Sequence, residues 1–447
     1  MSRIRIIITI IVVVLTTLLT GCTGKEPNEI AYVVALGIDS TDDDNYKITI
    51  QYANTTQISG GASESGGIAG SEIVDNVTIE APNIYAGVGL ANNIVSKSFS
   101  MTHAKLIVFS KEIAEKGVKD MIETLVRSEE IRPDVFIAVA NTTANDYLTS
   151  VNPEMEVNPA QYYQLIYQKN QLVGIPDGQL REFFTGLYTD NYDSILPVAG
   201  VIEGAGGNSQ NDDKGQSKDS QNEGSEGSSE SLDSFESKNS DENEKEKDAE
   251  KNTSKYEYDI KNYVGGETAI EKKNKAEAIG AAVFEKDKMV GELGEVETEI
   301  CKMLKGDYTY SYLTYYNNDT PDIPITVKTT QQKKPKYKID TDKKTVDIEL
   351  YIESDLYSLP ADYNVENKIE DFERDVANYT SSACTEFINN FTKKYNSDIL
   401  KLNEKVKYKF LTNNQYNWFK KNVGWSEYKF SVCTDFKVRR TGLIVRE

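Results

Sequence analysis

Lys105-Leu-Ile-Val-Phe109 and Val135-Phe-Ile-Ala-Val-Ala140 bracket a segment in which Ile113, Ala114, Val118, Met121, Ile122 and Leu125 recur at three- and four-residue spacing. The two bracketing runs are short and continuously apolar, the pattern of buried strands, and the spacing between them predicts a helix with one apolar face. Pro133 sets off the second strand. Strand, helix and strand in such short order point to a mixed α/β unit.

Working outward, Ala31-Tyr-Val-Val-Ala-Leu-Gly-Ile-Asp39 and Tyr46-Lys-Ile-Thr-Ile-Gln-Tyr52 flank the turn-rich Ser40–Asn45, which predicts a β-hairpin. The Asp cluster of that turn does not fit a calcium loop. Counted from Asp39, the sixth and twelfth positions hold Asp44 and Ile50 where an EF-hand needs Gly and Glu. Two more hairpins are predicted, Ala278–Phe284 with Lys288–Leu293 and Tyr337–Ile339 with Val346–Ile352. Ile369, Phe372, Val376, Ala383, Phe387, Phe391 and Tyr395 then mark a helix of roughly seven turns, and Tyr428–Val445 reads as a final strand. A continuous apolar stripe of that length has to pack along a sheet or a partner, and packing on the strands of its own domain is the simpler expectation. The fold class is therefore α+β, mixed α/β, with antiparallel and mixed sheets carrying packed helices.

Residues 204–256 change character. Between Ala205 and Lys255 there are 14 acids and 7 lysines, and Leu232 and Phe235 are the only large apolar side chains. Such a segment cannot bury enough apolar surface to offset the entropy of ordering, so it predicts a disordered acidic linker. It divides the chain into an N-terminal region, 22–203, and a C-terminal α/β region, 257–447. The shorter Ser59–Ser71 stretch is Gly/Ser-rich but lacks the spacing of a phosphate-binding loop, and it reads as a surface loop.

The first five residues carry Arg3 and Arg5, and an apolar run follows from Ile6 to Leu19. At about 14 residues this run suits a cleaved signal, 1–21, better than a permanent membrane span. It ends in Leu19-Thr20-Gly21-Cys22, which resembles the lipobox of bacterial lipoproteins. The resemblance implies that the Cys22 thiol receives diacylglycerol, that fatty acyl (palmitate-type) chains follow, and that the mature chain sits on the outer face of a membrane. No second run of about 18 apolar residues follows, so the lipid is the expected membrane hold.

The net charge of −21 becomes −23 once Arg3 and Arg5 leave with the signal. An acidic surface of that size argues against nucleic acid as a partner. Cys301, Cys384 and Cys433 show no C-x-x-C spacing and are odd in number, so at most one disulfide can form and buried free thiols are expected. The only histidine, His103, has no H-E-x-x-H partner and no G-x-S-x-G elbow elsewhere, which makes a structural role the simpler one. Arg127 and Arg132 lie near a helix end and could clamp a carboxylate, either of the fold or of a partner, and the same holds for Arg439 and Arg440. No cofactor and no metal are expected.

Several of these stretches together resemble the Ger(x)C spore-germination lipoproteins, the C subunits of nutrient germinant receptors. They are the lipobox, Ala35-Leu-Gly-Ile-Asp39, Thr102-His-Ala-Lys-Leu-Ile-Val-Phe109, Leu125-Val-Arg127, Ile131-Arg-Pro133, Gly280–Gly291 and Arg439-Arg-Thr-Gly-Leu443. Two departures stand out: Thr23-Gly24 follows Cys22 where the family commonly has Trp-Asp, and the acidic segment is long. The resemblance implies three α/β domains without an enzymatic site. It also implies integral-membrane A and B subunits as partners and, in spores, location at the inner spore membrane. A solute-binding lipoprotein of a transporter is the alternative, disfavoured because no repeated pair of lobes is visible. A cell-surface hydrolase lacks a catalytic signature.

Overall fold

The computed structural model describes residues 3–10, 29–43, 45–53, 74–153, 156, 158–168, 174–189, 191–202, 262–268, 274–316, 324–358, 368–395 and 397–441. Cys22, the Ser59–Ser71 stretch and the 204–256 segment lie outside these residues.

A nine-stranded mixed sheet organises the first part of the chain. Its strands are β1 (Ile30–Ser40), β2 (Tyr46–Ala53), β3 (Val74–Ala81), β4 (Ser98–Ser100), β5 (Leu106–Ser110), β6 (Phe136–Ala140), β7 (Ile195–Val201), β8 (Ala276–Glu285) and β9 (Lys288–Leu293). The order is β3-β2-β1-β5-β6-β7-β8-β9, with β4 paired to the start of β1. The four central strands β1, β5, β6 and β7 run parallel, and antiparallel hairpins extend both sides.

The central strands read as unbroken apolar runs because both sheet faces are covered. Ile107, Phe109, Ile137 and Val139 point into one core, against helices α1 (Ile84–Ala91), α2 (Lys111–Lys116), α3 (Lys119–Val126) and α6 (Leu180–Thr189). Leu106, Val108, Phe136 and Ala138 point into the other, against α4 (Ala144–Ser150) and α5 (Pro159–Gln168). The single helix expected across Ile113–Leu125 is in fact two, α2 and α3. Gly117 breaks it at φ +124°, a conformation that suits glycine, and the next amide, Val118 N, donates to Asp287 O at 3.0 Å instead of continuing the helix.

The second sheet holds β10 (Tyr310–Tyr316), β11 (Pro324–Thr330), β12 (Lys336–Asp340), β13 (Thr345–Ser358) and β14 (Lys429–Arg440), in the order β10-β11-β13-β12 with β14 parallel to β13. The strand expected over Tyr428–Val445 thus runs from Lys429 to Arg440, and 442–447 lie outside the described residues. All three expected hairpins form.

The sheet boundary does not coincide with the acidic segment. β8 and β9, which fall within the expected 257–447 region, pair with β7 and complete the first sheet. Their side chains divide between two cores: Ala282, Phe284 and Met289 join the first sheet's helices, while Ala281, Val283 and Leu293 join the second sheet's core with α7 (Glu295–Lys305) and α8 (Ile369–Lys394). This hairpin therefore ties the two sheets into one packed unit.

The 26-residue α8 packs on its own region, as its stripe predicts. Phe372, Val376, Cys384, Phe387, Ile388 and Phe391 are buried. A second, polar stripe closes the open edge of β14. Phe430 N donates to Asn389 Oδ1 (3.2 Å), Val432 N to Thr385 Oγ1 (3.0 Å), Thr434 N to Ser381 Oγ (2.9 Å) and Val438 N to Glu373 Oε1 (2.8 Å). Four helical residues rise about 6 Å and two strand residues about 6.7 Å, so acceptors spaced by four keep step with alternate strand amides. An edge that could template pairing with another chain is satisfied within this one.

Candidate functional site

The Ala35-Leu-Gly-Ile-Asp39 stretch meets the N-terminus of α4. Gly37 gives the close approach: a Cβ there would lie 3.0 Å from Leu148 Cδ1 and 3.1 Å from the Ala144 Cβ. Asp39, buried at the end of β1, accepts from Ala144 N (2.6 Å) and Asn145 N (3.0 Å). Thr143 accepts from Asp146 N at 2.9 Å, so the first three amides of the helix are all satisfied. Asn145 Nδ2 then bridges Thr49 and Thr78 on β2 and β3, each at 2.9 Å. Below it, Gln51 donates to Leu148 O (2.8 Å) and accepts from Tyr163 OH (2.5 Å), and the Tyr147 and Tyr167 hydroxyls pair at 2.9 Å. Burial pushes the Asp39 carboxyl above its ordinary pKa, opposed by its two backbone donors. The cluster fixes a helix on a sheet, and its polar groups are consumed by one another.

The other residues singled out in the sequence are dispersed. His103 is exposed, its ring edge-on to Tyr32 with centroids 5.2 Å apart. Arg127 caps α3 and pairs with Glu123 one turn back (3.4 Å), and Arg132 makes a two-pronged contact with Asp134 (3.0 and 3.2 Å). Both arginines therefore hold carboxylates of their own chain. Arg439 pairs with Glu353 on β13, while Arg440 is exposed at the end of β14 opposite Asp355. Cys301 and Cys384 are buried free thiols, pushed up to about 12 by burial, whereas Cys433 is free but exposed, since it falls on the outward side of the alternating β14. Among the described residues no three His, Cys, Asp or Glu side chains gather as metal ligands would.

Two clefts open where the second sheet's helices meet the ends of α6 and the β8–β9 turn. One, of about 550 Å³, is lined by Tyr192, Asp193, Lys286, Asp398, Lys420 and Trp425 among others. The other, of about 500 Å³, carries Asp177, Glu182, Lys305, Lys334, Lys401 and Lys405. Asp193 and Asp398 organise the first. Asp193 accepts from Lys286 N (2.9 Å) and Asp398 N (2.8 Å), and Asp398 in turn accepts from Leu402 N and Asn403 N, both at 2.8 Å, at the start of α9 (Leu402–Val406). Burial pushes the Asp398 carboxyl up to about 7 against the pull of those two amides, and the neighbouring Asp193 charge adds to the rise. Lys401 joins the clefts, paired with Glu182 (2.6 Å) and lying over the Tyr192 ring (4.2 Å). Sequence reasoning missed Asp193 and Asp398. They are 205 residues apart, and in a chain with 71 acids nothing marks them.

Comparison with known proteins decides the family. Residues 24–201 match the family model described as the spore germination protein N-terminal domain, and residues 279–442 match the model described as spore germination B3/GerAC like, C-terminal. The chain belongs to the Ger(x)C family of spore germination proteins. Spore germination protein KC of Bacillus subtilis (strain 168) is 26% identical over 176 residues, 36% of this chain and 43% of that protein. Spore germination protein GerQC of Bacillus cereus is 28% identical over 95 residues, 21% of this chain and 26% of that protein. The matched stretches thus span less than half of either relative. Among solved structures, the crystal structure of the GerBC protein aligns with a TM-score of 0.49 at 15% identity, covering 90% of this chain and 96% of that one. In this Ger(x)C chain the two family models fall on either side of the acidic segment, and the second begins inside β8.

Proposed function

We propose that this protein is a lipid-anchored, non-enzymatic subunit of a spore nutrient germinant receptor, supporting assembly of the receptor and its response to nutrients. The observation that carries the reading is the ordered match of both Ger(x)C models along one chain. The Leu19-Thr20-Gly21-Cys22 lipobox supplies the anchor, with diacylglycerol and fatty acyl chains on Cys22. Integral-membrane A and B subunits are the partners, and the outer face of the inner spore membrane is the location. The buried acids Asp39 and Asp398 fit this role, because both are spent on capping helices.

Replacing Cys22 tests the anchor. Spores carrying Cys22→Ala should lose the acyl mass on this chain, lose its co-purification with the A and B subunits, and germinate slowly on nutrients. Normal assembly and response in those spores would overturn the reading.

A further inference from the structure

Over residues 401–422 there are six lysines, Lys401, Lys405, Lys407, Lys409, Lys420 and Lys421, against the single acid Glu404, in a chain of net charge −21. Lys401 is held by Glu182, Lys409 Nζ donates to Ile339 O and Lys420 Nζ to Thr189 O (3.1 Å), while Lys407 and Lys421 are exposed and form no ion pair among the described residues. The same stretch exposes Leu411 (93%), Trp418 (68%) and Tyr408 (79%), the three most exposed large apolar side chains among the described residues. Helical spacing puts Gln415, Trp418 and Asn422 of α10 (Asn413–Asn422) on one outward stripe, and Leu411 leads into it. Tyr416 and the partly buried Phe410 and Phe419 pack beneath, with ring centroids 4.9 to 5.9 Å apart, so the exposed residues ride on a rigid base.

We propose that this aromatic and basic face rests on a bilayer surface containing anionic phospholipid. Large amphipathic rings beside lysines are the composition of a membrane interface, the rings reaching headgroup depth and the ammonium groups staying with phosphate. The chain's net charge opposes the contact only weakly, since charges more than about 10 Å away are screened.

Topology supplies the orientation, and this part rests on the proposed lipid at Cys22. Ile38, Phe109, Val139 and Val198 are in line across the parallel strands. The chain runs into β1 from the Cys22 side and into β7 through residues 191–194, so β1 and β7 start at the same end of the sheet. Asn191 Oδ1 accepts from Lys420 Nζ (3.0 Å) and Tyr416 OH (3.3 Å), which latches α10 to that end. The eight peptide steps from Cys22 to Ile30 reach at most about 28 Å, short enough to bring the face down with the tether.

The test uses the chain from Thr23 onward, which carries neither leader nor acyl group and keeps the packed core that begins at Ile30. It should co-sediment with phosphatidylcholine vesicles containing phosphatidylglycerol and not with phosphatidylcholine alone, and salt should release it. Because Trp425 is buried and Trp418 exposed, a blue shift of tryptophan emission on binding reports Trp418. Leu411→Ser with Trp418→Ser, and separately Lys407→Glu with Lys421→Glu, change only surface positions and should weaken binding at least about tenfold with an unchanged far-UV spectrum. No binding to the anionic vesicles, or binding that survives both pairs of substitutions, would overturn the proposal. So would an emission shift produced by a peptide of residues 205–255 but not by vesicles, which would make this a surface for acidic protein. The mass of Cys22 from spore membranes reads the tether independently, so an unacylated Cys22 beside intact vesicle binding overturns the tether and leaves the face standing.

Discussion

Asp39→Ala should unfasten α4 from the sheet. The carboxylate is 4% exposed and accepts two amides at 2.6 and 3.0 Å, from the first two residues of the helix. Hydrogen bonds to a charged acceptor contribute about 1.5–3 kcal/mol each, and alanine leaves both buried donors without a partner. Against that stands the cost of burying the carboxylate, large enough to raise its pKa. The net loss should be about 3 kcal/mol, while Asp39→Asn, which keeps one carbonyl acceptor and removes the buried charge, should lose about 1 kcal/mol. The pH dependence has a definite sign. A folded pKa above the unfolded 3.8 means that the carboxyl's contribution is full in acid and shrinks as pH rises through the folded value, so the advantage of the native chain over Asp39→Asn widens as pH falls. Urea unfolding followed by far-UV circular dichroism gives the free energies, and hydrogen exchange of the peptide around Ala144–Ser150 localises the loss. A change below about 0.5 kcal/mol with undiminished protection of those amides would refute the capping argument.

Two further outcomes follow from burial. In the native chain from Thr23 onward, iodoacetamide near neutral pH should label Cys433 alone, and all three thiols should react after denaturation; native labelling of Cys301 or Cys384 would contradict their packing. Asp398, at about 7 when folded and 3.8 unfolded, contributes stability below pH ~4 that is lost as pH rises through ~7, so Asp398→Asn should flatten the decline in stability across that window, and native and variant curves that stay parallel would count against it.

Much of the fold was legible because its signals are local. The continuously apolar runs of β5 and β6 marked buried strands, the turn between Tyr337–Ile339 and Val346–Ile352 marked the β12–β13 hairpin, and α8 was readable from its stripe. Gly117 was visible as a glycine, but the amide partner that makes the chain turn there belongs to the β8–β9 hairpin, 170 residues on. The Ala35-Leu-Gly-Ile-Asp39 stretch was legible as a family signature and not as a cap, because the helix it caps begins 105 residues later.

The sequence by itself determined the lipobox-like pattern around Cys22, the charge, the three hairpins, the buried strands β5 and β6 and the long helix α8, since each depends on neighbours within a few turns of chain. Only the tertiary structure decided that β8 and β9 cross the acidic segment to finish the first sheet, that a polar stripe on α8 seals the edge of β14, and that Asp193 meets Asp398. It also decided which lysine of 401–422 finds a carboxylate, which are held by carbonyl oxygens and that Trp418 is left exposed. Periodicity tells a residue which way to face; what it faces is set by segments a hundred or more residues away, whose side chains compete for the same buried surface and the same few unsatisfied backbone groups.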